Sequence, residues 1–285
     1  MSEASELRTR YEQVVDRIGA AASKVGVDPE RVILVAVSKY AATDQIRTLI
    51  EMGHQDFGEN KVQQLTQRVA MVEEYLDRIR VLPHVRAGRR AAQLLGGPAS
   101  SSAGASGGSD ETEPSKSIRW HMIGRLQRNK ARKAAESCRL IQTVDSLRLA
   151  EELQSIGMRR NLDVDVLLQV NCSGEEQKSG CLLPAAPHLA EQIDQMGHVH
   201  LRGVMTMAAA TDNPEAARPA FQRCREVFED IRRSGFGGRC NILSMGMSND
   251  FEVAIEEGAN LIRVGSAIFG DYEAEPDDEA EAPEA

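Results

Sequence analysis

The stretch RVILVAVSKY (residues 31–40) is short, rich in β-branched side chains, and lacks the alternation of a half-exposed strand. Such a continuous apolar run is typical of a parallel strand that helices cover on both faces. The segment that follows predicts a helix from its N-cap at Thr43 through Met52, ending at Gly53. One strand–helix unit is therefore predicted, and its strand ends on a lysine, Lys39.

The same unit recurs along the chain. Apolar segments of strand length are HQDFGEN, IRWHMIG, LIQTV, DVDVLLQVN, VHLRGVMTM, NILSM and NLIRVG. Helical patterns connect them, including one from Asn60 to about Tyr75, and an amphipathic helix from Ser5 to about Lys24 precedes the first strand. Eight strands with crossover helices favour an α/β fold of the closed (β/α)8 TIM-barrel type, with an open doubly wound sheet as the alternative. We expect residues 1–270 to form this single domain.

Two segments depart from the pattern. Residues 96–117 draw 17 of their 22 residues from Gly, Ala, Ser and Pro, so we predict a flexible insert over about residues 79–117, into which residues 86–95 could extend a helix. Residues 271–285 carry eight acidic residues and no basic one, which predicts a disordered acidic tail. Because this tail holds most of the net charge of −9, the rest is nearly neutral, and nothing suggests a nucleic-acid partner.

The cysteines and the N-terminus restrict the class of protein. Five cysteines are an odd number without a CxxC pair, which favours a reducing compartment over a disulfide framework or a zinc site. The charged N-terminus is unlike a signal peptide, and no run approaches the roughly 18 apolar residues of a membrane span. We therefore expect a soluble cytoplasmic protein without a metal site.

In barrels of this kind the functional groups lie at the C-terminal ends of the strands, and a phosphate often binds the loops after strands seven and eight. Glycines and serines are frequent in these two loops, at Ser244, Gly246, Ser248, Gly265 and Ser266. The glycines allow close approach of the backbone, the serines offer hydroxyls, and Asn249 with Glu252 is predicted to cap the next helix. These loops predict a phosphate cradle; the alternative is that they are simple turns.

Two basic residues lie where the barrel should be apolar. Arg263, within the strand NLIRVG, needs a hydrogen-bond acceptor, which is either a structural salt-bridge partner or a ligand. Lys39 either extends to water or, desolvated by apolar walls, offers a neutral amine that can attack an aldehyde. An aldehyde that also carries a phosphate suggests pyridoxal 5'-phosphate (PLP), with the arginine facing its ring nitrogen.

The motifs VAVSKY, FGENKVQQL, WHMIGRLQRNKARK, VDSLRLAEEL, LLQVNCSGEEQKSGC, LRGVMTMA and LSMGMSNDFEVAIEEGANLIRVGSAIFG occur in this order. Together the chain resembles the YggS/PROSC family of pyridoxal phosphate homeostasis proteins, relatives of the barrel domain of alanine racemase with PLP fold type III. The resemblance runs from about Leu34 to Gly270 outside the insert. Ser266 replaces a common family threonine and keeps its hydroxyl, while the insert is longer than usual.

The resemblance implies a role for each matching residue. Lys39 would form a covalent aldimine with PLP, and Arg263 would hydrogen-bond the pyridine nitrogen. The implied phosphate contacts are Ser244, Gly246, Met247, Ser248, Gly265 and Ser266. Asn60, His121 and Gly124 would lie near the cofactor. Lys178 matches a second family lysine that contacts or transiently holds PLP; the alternative is a solvated loop lysine.

The function that the resemblance implies is intracellular PLP homeostasis, with possible delivery to apo forms of PLP-dependent enzymes. The alternative is a single-domain amino-acid racemase, which needs acid/base groups on both faces of the substrate. No tyrosine is an evident second base, since Tyr40 directly follows the lysine and the others lie outside the strand ends. We therefore expect a monomeric binding protein without catalytic residues, and a Schiff-base aldolase barrel is disfavoured by the motif set.

Overall fold

The computed structural model of the chain describes residues 2–94, 118–175, 179–209, 211–235 and 238–270. Its strands are β1 (Ile33–Val37), β2 (Asp56–Glu59), β3 (Arg119–Met122), β4 (Leu140–Val144), β5 (Val164–Asn171), β6 (Cys181–Leu182), β7 (Val199–Met205), β8 (Ile242–Ser244) and β9 (Leu261–Val264). They pair in parallel in the order β4-β3-β2-β1-β9-β8-β7-β5-β6, and β4 also pairs with β5. This pairing closes eight strands into a barrel. The predicted (β/α)8 barrel is confirmed, the open sheet is wrong, and the two-residue strand β6 was not predicted.

Helices follow the strands around the outside of the barrel. They are α1 (Glu3–Lys24), α2 (Thr43–Glu51), α3 (Val62–Leu94), α4 (Ala131–Ser137), α5 (Leu147–Arg160), α6 (Ala186–Asp194), α7 (Arg218–Arg233), α8 (Phe251–Glu256) and α9 (Ser266–Phe269). Helix α1 begins two residues before the predicted Ser5, because the side chain of Ser2 caps it by accepting the Ser5 N–H at 3.3 Å. Its apolar face packs against α2, α8 and α9.

Two helix boundaries differ from the sequence prediction. The N-cap of α2 is Ala42 and not Thr43, because the Gln45 side chain accepts the Ala42 N–H at 2.9 Å. Helix α3 continues well beyond Tyr75, so residues 79–94, predicted to be part of the insert, are helical. The rest of the predicted insert, the acidic tail and Lys178 lie outside the described residues.

The barrel interior has two levels. Val35, Leu140, Leu167, Met205 and Leu261, from five different strands, form a small apolar cluster separate from the large core between strands and helices. Side chains of a strand alternate between its faces, so the residues two positions further on point into the same interior, nearer the C-terminal ends. They include Gln142, Gln169 and Arg263. An apolar layer therefore supports a polar level directly above it.

Three further observations concern disulfides, metal sites and membrane spans. The cysteines at positions 138, 172, 181, 224 and 240 are free. Within the described ranges, no group of three or more His, Cys, Asp or Glu side chains is arranged to hold a metal ion. In the same part of the chain, no helix is both long and apolar enough to cross a membrane.

Candidate functional site

A cavity of about 960 Å³ lies at the C-terminal ends of the strands. Its wall contains eight of the eleven residues selected from the sequence: Lys39, Asn60, Gly124, Met247, Ser248, Arg263, Gly265 and Ser266. They belong to the loops after β1, β2, β3 and β8, to β9, and to the start of α9. Because parallel strands bring their C-terminal ends to one rim, residues far apart in sequence meet there.

Lys39 lies two residues after the end of β1 and is half-buried. Its Nζ is 4.6 Å from the centre of the Tyr40 ring, a cation–π contact. Among the described residues, no carboxylate lies within ion-pair distance of this ammonium group. A lysine in a cavity wall with no described carboxylate at ion-pair distance is suited to act as a nucleophilic amine.

A buried cluster holds the β1–α2 loop that carries Lys39. Glu59 accepts a hydrogen bond from Ser38 Oγ at 2.6 Å and pairs with Arg68 Nε at 2.8 Å. Arg68 also donates to the Ala41 carbonyl at 3.0 Å, so both ends of the loop are fixed. Burial raises the pKa of Glu59, and the Ser38 hydroxyl and Arg68 oppose this effect. The cluster orients the backbone on either side of Lys39.

Gly124 brings the loop after β3 into close contact with Asn60. A Cβ atom at Gly124 would lie 2.6 Å from the Asn60 Cα, a distance that excludes any side chain. Thr143 Oγ1 donates to the Gly124 carbonyl at 2.8 Å, which fixes the loop from the other side. The glycine in WHMIG is therefore required by packing within the cavity wall.

The loops after β8 and β9 are tied together by Ser248. Its Oγ accepts the N–H groups of Gly265 at 3.2 Å and Ala267 at 3.4 Å. Gly246 has a positive φ of 89°, and a Cβ there would lie 2.8 Å from the Phe251 Cα. Only glycine fits this tight approach of the loop to α8.

The predicted cap of α8 is wrong. Asp250 and not Asn249 occupies the N-cap, and its carboxylate accepts the Met247 N–H at 2.6 Å. Helix α8 therefore begins one residue later than the pattern of Asn249 with Glu252 predicted. Burial raises the pKa of Asp250, and the Met247 N–H and Arg263 oppose this effect.

Arg263, the third residue of β9, is 3% exposed. Its Nη2 donates to the Thr206 carbonyl at 2.9 Å, and its Nη1 donates to Ser244 Oγ. Burial lowers the pKa of Arg263 to about 10, although Asp250 and Cys224 oppose this effect. Within the described part of the chain, no carboxylate lies at ion-pair distance, so the structural salt bridge considered from sequence is not found there. The guanidinium is held by neutral oxygens and lines the cavity.

Three selected residues, Ser244, Gly246 and His121, are not part of the cavity wall. Ser244 and His121 lie buried behind it, and both contact Gln142, a residue that sequence reasoning missed. Gln142 and the cavity-lining Gln169 each lie two residues after a member of the apolar layer. Strand alternation from Leu140 and Leu167 was the signal that could have identified them.

The chain matches the profile of the family described as "Alanine racemase, N-terminal domain" over residues 34–273. It is similar to the "Pyridoxal phosphate homeostasis protein" of Pseudomonas aeruginosa, with 34% identity over 272 residues that cover 95% of this chain and 98% of the relative. The protein of the same name from Escherichia coli is 33% identical over 263 residues, which cover 90% and 93% of the two chains.

Solved structures extend the comparison. A protein from Bifidobacterium adolescentis, described as unknown, has a TM-score of 0.75 and 34% identity, and the match covers 94% of this chain and 96% of the other. PipY of Synechococcus elongatus with PLP bound has a TM-score of 0.65 and 28% identity, over 90% and 100% of the two chains. An alanine racemase of Clostridium difficile has the same fold, with a TM-score of 0.60 and 11% identity, and the match covers 56% of its chain.

Proposed function

The chain belongs to the alanine racemase N-terminal domain family, and from this premise we propose that it binds PLP as a Schiff base on Lys39 and acts in intracellular PLP homeostasis and delivery. The names of the Pseudomonas and Escherichia relatives support this function. The PLP that is bound to PipY, at 28% identity over the whole PipY chain, supports the choice of ligand.

One observation carries the proposal: two cations without a carboxylate partner among the described residues, Lys39 and Arg263, line the same cavity. PLP supplies an aldehyde, a phosphate and a pyridine nitrogen. The Lys39 amine is the group suited to attack the aldehyde, and Arg263, which can only donate hydrogen bonds, is suited to the ring nitrogen. A cavity of about 960 Å³ leaves room for such a ligand.

The proposed phosphate contacts come from the loops after β8 and β9. Ser248 and Ser266 offer hydroxyls, and the N–H groups that Ser248 now accepts can turn to a phosphate oxygen. Gly246 and Met247 belong to the loop after β8 that carries Ser248, and Met247 lines the cavity. Asn60 and Gly124 line the same cavity, which supports the position near the cofactor that the resemblance implies for them.

We propose a binding protein rather than an enzyme. A donor-only arginine at the ring nitrogen disfavours a protonated pyridine, which weakens the electron sink that carbanion chemistry needs. Among the described tyrosines only Tyr40 lines the cavity, and it lies against Lys39 rather than opposite to it. Tyr11 and Tyr75 are bonded elsewhere, to His54 and Glu51. The tyrosines that the structure describes therefore offer the racemase alternative no evident second base.

Location, assembly and domain organisation are part of the same proposal. Five free cysteines support a reducing, cytoplasmic environment. A single barrel core, with residues 1–270 as one domain, supports a monomer that exchanges PLP with apo forms of PLP-dependent enzymes.

The test is the absorption spectrum of the purified protein with and without added PLP. We expect a visible band that borohydride reduction fixes to Lys39, identified by mass spectrometry of the peptides. The Lys39→Ala variant should lose this band, whereas Lys133→Ala, which removes an exposed lysine, should keep it. A wild-type protein that takes up no PLP would refute the proposal. Stereospecific turnover of an amino acid that depends on Lys39 would favour the racemase.

A further inference from the structure

A chain of buried polar side chains connects Arg263 with Asp56 across the barrel interior. Ser244 Oγ, which accepts from Arg263, lies 2.7 Å from Gln142 Oε1. Gln142 Nε2 lies 3.1 Å from His121 Nδ1. His121 Nε2 lies 3.1 Å from Asp56 Oδ1. All five residues are buried, so water does not substitute for these contacts.

The direction of each hydrogen bond follows from the arginine end. A guanidinium has donors only, so Ser244 Oγ accepts from Arg263. The single hydroxyl proton of Ser244 then needs an acceptor, and the amide oxygen of Gln142 is within reach. With its oxygen used in this way, Gln142 presents its NH₂ group to His121.

The Asp56 end of the chain gives the same hydrogen-bond directions independently. Burial raises the pKa of Asp56, but hydrogen bonds from Arg119 and His121 outweigh it and bring the pKa to about 2, so the group is ionised and only accepts. His121 Nε2 therefore carries the proton that is donated to Asp56. In a neutral imidazole Nδ1 is then an acceptor, which matches the NH₂ group of Gln142.

We propose that His121 is a positioning residue for Arg263, acting through Gln142 and Ser244. Asp56 fixes the Nε2–H tautomer, and each following group is left with one compatible orientation. The last of them, Ser244 Oγ, takes one N–H of the guanidinium, and the Thr206 carbonyl takes another, which leaves the remaining donors for the cavity. This inference rests on the proposed function, in which Arg263 faces the pyridine nitrogen of PLP.

This relay, which runs from Asp56 through His121, Gln142 and Ser244 to Arg263, also explains why His121 belongs to the same motif as Gly124 without lining the cavity. In the sheet order, β2 and β1 separate the strand of His121 from the strand of Arg263, and Gln142 lies on β4, the other neighbour of β3. Both ring nitrogens of His121 are used, by Asp56 and by Gln142, whereas a histidine that hydrogen-bonded the cofactor directly would need one nitrogen for it.

The experiment compares three variants by PLP titration and by the absorption maximum of bound PLP. His121→Leu removes both ring nitrogens. His121→Asn places an amide oxygen where Nδ1 accepts from Gln142 and is the conservative rescue. His54→Leu is the matched control, because His54 is a second buried histidine and its hydrogen bonds, to Tyr11 and to the backbone carbonyl of Asp56, do not involve the Asp56 carboxylate that holds His121.

We expect His121→Leu to shift the absorption maximum and to raise the PLP dissociation constant about tenfold, the effect of misplacing a charge-assisted hydrogen bond. His121→Asn and His54→Leu should stay within about threefold of the wild type with an unchanged spectrum. If His121→Leu does not fold, Gln142→Met breaks the relay at its next link and should give the same shift.

Two results would overturn the inference while the proposed function stands. One is a wild-type spectrum and affinity in both His121→Leu and Gln142→Met. The other is an equal change in His121→Leu and His54→Leu, which would indicate a general packing effect. If the wild-type protein takes up no PLP, the proposed function itself fails, and the inference fails with it.

Discussion

Replacing Arg263 by methionine separates the stability of the barrel from its ability to hold a ligand. Burial lowers the pKa of Arg263 from its ordinary value to about 10, so the charged form is less favourable in the folded chain than in the unfolded one. A difference of this size corresponds to about 3 kcal/mol. Because the folded value is the lower one, the cost applies at every pH below about 10, including neutral pH.

The methionine variant removes this cost and fills a similar volume. It leaves the Thr206 carbonyl without its donor, which costs about 1–3 kcal/mol, while Ser244 keeps its bond to Gln142. The two effects nearly cancel, so we expect the unfolding free energy of PLP-free Arg263→Met to lie within about 1–2 kcal/mol of the wild type. Arg263→Lys retains the buried charge and loses the forked geometry, and it should be less stable than Arg263→Met by about 2 kcal/mol.

Urea unfolding of the three PLP-free proteins measures this order. Repeating it with PLP at about 100 times the wild-type dissociation constant should stabilise the wild type by about 2.7 kcal/mol and Arg263→Met by much less. The reasoning is refuted if PLP-free Arg263→Met loses about 4 kcal/mol or more, or if Arg263→Lys is the more stable variant. The first result would mean that the hydrogen bonds of the guanidinium outweigh its desolvation, and the second would mean that a buried positive charge is itself favourable at this position.

Two further substitutions test the cavity wall and the carboxylate end of the relay. Gly124→Ala should displace the Asn60 backbone, lower the unfolding free energy by more than about 1 kcal/mol and weaken PLP binding. The control Gly19→Ala meets open space in α1 and should raise the unfolding free energy by about 0.5–1 kcal/mol. Equal effects of the two substitutions in urea unfolding would contradict this prediction. The pKa of Asp56 is lowered from 3.8 to about 2, so its contribution of about 2 kcal/mol is present above pH 4 and is lost as the pH falls toward 2. Asp56→Asn should be less stable at pH 7 and flatter in stability between pH 5 and 2, and an unchanged acid profile would refute this.

The strands could be predicted because each apolar run indicates a buried strand without reference to the rest of the chain. RVILVAV and NLIRVG read as covered parallel strands on their own, and they pair in the barrel with Val35 opposite Arg263. Helix ends were less predictable, since they depend on single side chains. No glycine or proline in the sequence marks the cap that Gln45 forms at the start of α2 or the continuation of α3 beyond Tyr75.

The cavity residues were predicted where a motif ends a strand, as at Lys39, Ser248 and Gly265. The interior residues Gln142 and Gln169 were not predicted, because the sequence shows which face of a strand points inward but not how the strands are staggered around the barrel. The β4–β5 register shifts between Ile141 and Val144, so the height of Gln142 relative to Arg263 depends on a closure that one sequence does not reveal. His121 was expected near the cofactor, and its place behind the cavity wall could not be predicted, since its motif specifies the strand and not the level.

The two-level interior connects these results with a holding role. The apolar layer below is ordinary core, whereas the level above keeps Lys39 and Arg263 in one cavity with no carboxylate at ion-pair distance among the described residues. The buried acid in the wall, Asp250, accepts the Met247 N–H. In the proposed function, an anionic aldehyde would engage both groups at once, Lys39 by covalent reaction and Arg263 by hydrogen bonding. The bound ligand would then give the buried guanidinium a further hydrogen-bond acceptor. This arrangement supports the holding role that we propose, because the two cations suit the ligand itself and not a reacting substrate carbon.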